Sequence, residues 1–139
     1  MRFIFALSLF VISLNSLAVE SNYRVNILHP LKIYAEGSIE EAIQLSNEWR
    51  NKVLLKNPKI VDVEYLLEKL SEQRYDLLVI YHYKDKNGAS EANQYFPDLI
   101  EQAWPDKNIR AHFFEKLQSY VIQEEKTTHR YKVIHNRGK

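Results

Sequence analysis

Histidines are the residues of this chain best suited to chemistry near neutral pH, because their side chains titrate there and bind metals. The 139 residues include five histidines and no cysteine, so the chain offers no thiol nucleophile and no disulfide. No two histidines are four residues apart, the spacing of a helical two-histidine metal site. His112 and Glu115 would share one face of a helix and are candidates for half of a metal site. We expect no cofactor and no complete metal site.

Two histidines fall within predicted strands. His82 lies between Tyr81 and Tyr83 in an apolar segment over 75–84. A histidine among apolar neighbours can line a pocket, which makes His82, Tyr81 and Tyr83 pocket candidates. The alternative is a histidine of the core that forms a hydrogen bond with a neighbour. His29 occupies an inward position of an earlier strand and has the same two interpretations.

Aromatic side chains are concentrated around a segment interrupted by proline. Such side chains can form a contact surface for another protein, or they can pack in the core. The residues concerned, which we take as candidate binding residues, are Tyr95, Phe96, Trp104, Phe113 and Phe114.

The first eighteen residues have the pattern of a secretory signal peptide. Met1 and Arg2 are followed by an apolar run to Leu14, and Ser16 and Ala18 supply the small residues of a cleavage site. The apolar run is shorter than the roughly 20 residues that cross a bilayer. We therefore expect cleavage after Ala18, no stable membrane anchor afterwards, and a periplasmic or secreted protein of bacterial type.

Charge is balanced in total but unevenly distributed, with an acidic body followed by a basic tail. The sequence has 19 basic and 18 acidic residues, and loss of Arg2 with the signal peptide leaves equal numbers. A basic tail begins at about residue 126 and contains no acidic residue. Because no broad basic face is indicated, we expect no nucleic-acid partner.

Hydrophobic patterning predicts the secondary structure of residues 19–139, a single globular domain. Strands are expected at 23–29, 31–36, 75–84 and 129–135, with Pro30 at a strand break or a sheet edge. A capping box from Ser38 to Glu41 predicts a helix over 39–54. Residues 86–88 form a predicted turn, Ser90 is a candidate cap, and helical spacing resumes around Pro97.

Two segments remain ambiguous between helix and strand. At 58–71, Asn57 and Pro58 resemble a helix start and the apolar spacing favours a helix, although alternation from Val61 to Leu67 favours a strand. At 107–124, the spacing from Ile109 to Tyr120 suits a helix, but the end of this segment could open a hairpin.

This element order predicts an α+β fold with a small mixed or antiparallel sheet of three to five strands and about four helices packed against it. The stretch from Asp76 to Ala103 resembles the strand–loop–helix unit of thioredoxin-like folds, with Pro97 in the helical region. The Cys-x-x-Cys motif of those folds is absent, so the resemblance implies no redox role. The element order is also similar to that of the nuclear transport factor 2 family.

Three functions are compatible with these features. We favour an exported, non-enzymatic protein-binding module, such as an inhibitor, an immunity protein or an accessory of an envelope complex, with another envelope protein as its partner. The first alternative is a small-ligand-binding or hydrolase-like domain with a pocket around His82. The second is a periplasmic metal binder.

Overall fold

A four-stranded antiparallel sheet organises the molecule. The computed structural model describes residues 21–133, so the predicted signal peptide and the end of the basic tail lie outside the described residues. The strands are β1 (Tyr23–Lys32), β2 (Ile60–Lys69), β3 (Arg74–Tyr83) and β4 (Thr127–Lys132). They are arranged in the order β2-β3-β1-β4, and every neighbouring pair is antiparallel.

Helices connect the strands and pack against the sheet. They are α1 (Ile39–Lys52), α2 (Lys86–Glu91), α3 (Phe96–Ala103) and α4 (Lys107–Tyr120), with short 3-10 segments at Leu54–Lys56, Ala92–Tyr95 and Gln123–Glu125. The predicted α+β fold is confirmed, as a fully antiparallel sheet. Within residues 21–133, no helix is long and apolar enough to cross a membrane.

Local capping determines where α1 and α4 begin. The Ser38 hydroxyl accepts a hydrogen bond from the Glu41 backbone N–H at 3.1 Å, as the capping box predicts. The Asp106 carboxylate accepts from the N–H groups of Asn108 and Ile109, which starts α4. The ambiguity at 107–124 is thereby resolved in favour of a helix that ends at Tyr120.

The helix favoured at 58–71 is wrong, because this segment forms strand β2. The register of β2 against β3 shifts between Ile60 and Asp62, so Ile60 and Val63 are both buried although they are three residues apart. A β-bulge of this kind imitates helical spacing in a sequence. Asn57 does not cap a helix: its side chain donates to the Ala92 carbonyl at 2.9 Å and accepts from the Lys59 N–H at 3.0 Å.

The predicted break at Pro30 is also wrong, because β1 continues through it. The Pro30 carbonyl points away from β3 and accepts a hydrogen bond from the Ile122 N–H at 2.8 Å. The proline nitrogen points the same way, and β4 pairs with β1 only up to Leu28. No strand hydrogen bond is lost there, because at Pro30 β1 has a neighbouring strand only on the β3 side.

The turn predicted at 86–88 is the first turn of α2. Asp85, rather than Ser90, caps this helix by accepting from the Gly88 N–H at 2.7 Å. Asn87 and Gly88 suit a turn by composition, but the cap provided by Asp85 continues the chain as a helix.

The core lies between the sheet and the helices, on one face of the sheet only. Val25, Leu77 and Val79 point inward and belong to the main buried cluster. Ile80 is also buried, but it points to the opposite face and belongs to neither core cluster. Helices among residues 21–133 therefore cover one face of β3, although its apolar sequence suggests coverage on both.

A second buried cluster of aromatic rings joins α1 to α3 and α4. Trp104 packs parallel to Phe113 with ring centroids 4.1 Å apart and parallel to Trp49 at 6.4 Å. Trp104 and Phe113 are only 4% and 6% exposed. The Trp104 indole N–H also donates to the Glu48 carboxylate at 3.1 Å. This aromatic cluster, defined by Trp49, Trp104, Phe113 and Phe114, holds the helix layer together.

Replacing Trp104 by alanine should cost about 3–5 kcal/mol in the free energy of unfolding, because it leaves a large cavity in the aromatic cluster. Replacing Tyr95, which is 37% exposed, should cost less than about 1 kcal/mol. Urea unfolding of both variants measures the difference. Similar losses in the two variants would contradict the burial of Trp104.

Candidate functional site: a cavity between the sheet and helices α1 and α4

A cavity of about 110 Å³ lies between the inner face of the sheet and helices α1 and α4. It adjoins a second space of about 210 Å³ that extends along α1 and shares five lining residues with it. We call the first the inner cavity and the second the outer cavity. The inner cavity is lined by His29, Leu31, Ala42, Ser46, Trp49, Tyr65, Leu77, Val79, Tyr81, Leu117, Tyr120 and Val121. The exposed side chains of Ile43 and Leu67 mark the side of the outer cavity that meets solvent.

His29 is a polar group of the inner cavity without a hydrogen-bond partner among residues 21–133. Burial, together with the positive charge of Lys126, lowers the pKa of His29 to about 4. The imidazole is therefore neutral at neutral pH, with one nitrogen that donates and one that accepts. The sequence pattern correctly predicts its inward orientation.

Tyr81 supplies a second polar group. Its ring stacks against Tyr83 with centroids 6.3 Å apart, and its hydroxyl has no hydrogen-bond partner within the described part of the chain. Burial, and the neighbouring Tyr65 and Tyr83, raise the pKa of Tyr81 above its ordinary value. This phenol therefore stays protonated and is available as a donor to a ligand.

The other two tyrosines of the inner cavity are tied to the protein. The Tyr65 hydroxyl donates to the Ser46 carbonyl at 2.9 Å. The Tyr120 hydroxyl donates to the Glu41 carboxylate at 2.9 Å and accepts from the Ser38 N–H at 3.3 Å. A methyl group added at Gly37 would lie 2.6 Å from the Tyr120 oxygen, so the absence of a side chain at Gly37 permits this contact. Tyr65 and Tyr120 are thus fixed walls of the inner cavity.

His82 and Tyr81 lie on opposite faces of β3, because successive side chains of a strand alternate. Tyr81 lines the inner cavity, whereas His82 lies on the outer face, with Nε2 3.5 Å from a Glu64 carboxylate oxygen. The structure therefore places no pocket around His82 on the helix side. Tyr83 points inward but lines a different depression beside α2.

The candidate aromatic contact residues are divided between core and surface. Trp104 and Phe113 are buried in the aromatic cluster, and Phe114 packs edge-on against Trp49. Phe96 is half-buried and stacks on Trp49 at 6.2 Å, whereas Tyr95 is exposed. Five aromatic residues close in sequence thus do not form one exposed patch.

The candidate metal ligands remain separate from the inner cavity. His112 and Glu115 are both exposed on α4. Within residues 21–133, no three side chains of His, Asp or Glu are grouped so that they could hold a metal ion.

Sequence reasoning missed several of the residues that line the inner cavity. The helix predicted at 58–71 assigns Tyr65 to no face of the sheet, because the segment is in fact strand β2. Leu117, Tyr120 and Val121 lie in the segment that was ambiguous between helix and hairpin. The signal available for Tyr65 was the alternation of Val63, Tyr65 and Leu67, all of which point inward.

Comparison with known proteins gives a fold and no family. No protein-family model matches the chain, and no curated protein matches its sequence. Among solved structures, a dimeric ferredoxin-like protein from an uncultured marine organism has a TM-score of 0.55 at 12% identity, over 84% of this chain and 99% of that chain. The chain thus has a ferredoxin-like fold, with the sheet order β2-β3-β1-β4 and with α2 and α3 inserted before α4 in the connection from β3 to β4.

Two further structures are less similar. A Bacillus cereus protein described as an antibiotic biosynthesis monooxygenase is 11% identical, over 86% of this chain and 100% of that chain, with a TM-score of 0.48. SnoaB, a cofactor-independent oxygenase from Streptomyces nogalater, is 8% identical over the same shares, also with a TM-score of 0.48.

The predicted envelope protein-binding module is wrong. Its main support was an aromatic contact surface, and the rings of Trp104 and Phe113 are buried. Export and a periplasmic location stay predictions, because they rest on residues outside 21–133.

The neutral state of His29 predicts a pH-dependent stability. The pKa is about 4 in the folded protein and 6.5 when unperturbed, so the unfolded chain binds more protons between these values. Stability is unaffected by His29 above about pH 6.5 and falls as the pH is lowered towards 4, by about 2 kcal/mol after allowance for partial exposure.

Urea unfolding should therefore show that the free energy of unfolding falls less between pH 7 and pH 4.5 for His29→Gln than for the wild-type protein. His112→Gln, which replaces an exposed histidine, is the control and should behave like the wild type. An equal pH dependence in all three proteins would contradict the burial of a neutral imidazole.

Proposed function

We propose that this protein binds a small, uncharged ligand in the inner cavity. The observation that carries the proposal is the combination of apolar walls with two polar side chains, His29 and Tyr81, that have no partner among the described residues. Ligand sites are typically apolar cavities with a few convergent polar groups that fix orientation. Neither side chain is engaged by another described residue, so both are available to orient a ligand by hydrogen bonds.

The electrostatics favour a neutral ligand. Burial is the largest cause both of the lowered pKa of His29 and of the raised pKa of Tyr81. The same desolvation would penalise a carboxylate or an ammonium group of a ligand. Among the residues that line the inner cavity, none carries a formal charge to compensate it.

Binding should be detectable by NMR as changes in amide chemical shifts when uncharged compounds of one or two rings are added to the wild-type protein. We expect the changes to cluster at Ser46, Leu77, Val79 and Leu117, which line the inner cavity. Changes confined to another surface, or no change with any compound, would contradict the proposal.

Two matched variants strengthen this experiment. Ala42 is 2% exposed and lines both cavities, so Ala42→Leu should fill the site and reduce affinity at least tenfold. Ala111→Leu makes the same change at an exposed position of α4 and should leave affinity unchanged. Equal affinities of the two variants would place the ligand outside the inner cavity.

A further inference from the structure

We infer that the ligand is a single-ring aromatic molecule with a hydroxyl group at one end and a carbonyl group at the other. The inference rests on the proposed function and specifies its ligand from three features of the site: its size, the aromatic character of its walls, and the positions of its two polar groups.

Size limits the ligand to one ring. An apolar cavity of about 150 Å³ holds benzene. The inner cavity, at about 110 Å³, needs part of the adjoining outer cavity to hold a substituted ring. The Tyr65 ring lines both spaces and is held in place by its hydrogen bond to Ser46.

The walls favour an aromatic ring over an aliphatic chain. Trp49, Tyr65 and Tyr120 line the inner cavity together with leucine and valine side chains. Aromatic rings gain from edge-on or offset contacts with other rings, in addition to the area they bury. Trp49 is itself stacked on Phe96 and Trp104, so its position is fixed before a ligand binds.

The sheet register separates the backbone positions of His29 and Tyr81 along the floor of the inner cavity. His29 lies opposite Leu77, whereas Tyr81 lies opposite Val25, so their Cα atoms are separated by four residues along the strands. That separation is about 14 Å at the rise of an antiparallel strand. A ligand that pairs with both must carry polar groups at both ends.

The Tyr81 hydroxyl and the neutral His29 imidazole can each donate and accept a hydrogen bond. Of the pairings that these groups allow, we choose the one in which Tyr81 donates and His29 accepts. The Tyr81 hydroxyl is a donor that a ligand carbonyl can accept from. The neutral His29 imidazole has an acceptor nitrogen that can receive a hydrogen bond from a ligand hydroxyl. 4-Hydroxyacetophenone has this arrangement and is the probe we choose.

Calorimetric titration at pH 7.5 tests the pairing with three related compounds. Relative to 4-hydroxyacetophenone, acetophenone lacks the hydroxyl and 4-ethylphenol lacks the carbonyl. Each should bind the wild-type protein about fivefold more weakly, the effect of one neutral hydrogen bond. 4-Hydroxybenzoate, which is charged, should bind more than tenfold more weakly.

Variants assign each loss to one side chain. His29→Leu should weaken the binding of 4-hydroxyacetophenone about fivefold and leave the affinity for acetophenone unchanged. Tyr81→Phe should weaken the binding of 4-hydroxyacetophenone and leave the affinity for 4-ethylphenol unchanged. Tyr83→Phe is the control, because Tyr83 is a neighbouring inward tyrosine that does not line the inner cavity. His112→Leu is the control for His29.

Failure of this inference can be distinguished from failure of the proposed function. If the compounds bind with equal affinity, or if the variants affect all of them alike, the hydroxyl and carbonyl pairing is wrong although a ligand site exists. If none of the ring compounds binds but other uncharged compounds perturb the amides of the inner cavity, the ligand class is wrong and the proposed function stands. If no compound perturbs those amides, both are wrong.

Discussion

The stacking of Trp49 on Trp104 is the interaction on which the helix layer depends. The two rings are 6.4 Å apart and nearly parallel, and Trp104 stacks in turn on Phe113 of α4. Trp49 packs against both buried clusters, so it links the helix layer to the sheet. The inner cavity remains beside this aromatic cluster.

The walls of the inner cavity are held by polar bonds that do not take part in ligand recognition. Tyr120 joins the end of α4 to Glu41 and Ser38 at the start of α1, and Tyr65 joins β2 to Ser46. These bonds satisfy two of the three tyrosine hydroxyls in the inner cavity. His29 and Tyr81 have no such bond among the described residues, and burial keeps both side chains uncharged at neutral pH.

Much of the fold could be predicted from the sequence where one periodicity prevailed. The capping box at Ser38 and the apolar run at 75–84 predict the bounds of α1 and β3 to within two residues. The error at β2 arose because a bulge puts Ile60 and Val63 on one face, which has the appearance of a helix. Pro30 was misinterpreted because a sequence does not reveal that β4 ends before reaching it.

The site was less predictable than the fold, because its residues come from distant parts of the chain. Alternation along the first strand predicts that His29 points inward, but the strand at 75–84 is apolar on both faces and its sequence does not assign Tyr81 to either. Only the register of β1 against β3 brings the two residues to one cavity. Trp104 and Phe113 are aromatic residues of the kind found at protein contact surfaces, yet the packing of α3 and α4 against α1 buries them. Composition alone could not separate these two outcomes.

Crystals soaked with 4-iodophenol test the central claim, that the inner cavity binds a small uncharged ligand. The anomalous signal of iodine locates the compound without any assumption about its pose. The account predicts an iodine peak between the sheet and α1, within contact distance of Trp49 and Tyr65. Iodine peaks only at the outer face of the sheet or at the surface, with the inner cavity closed by its own side chains, would contradict it.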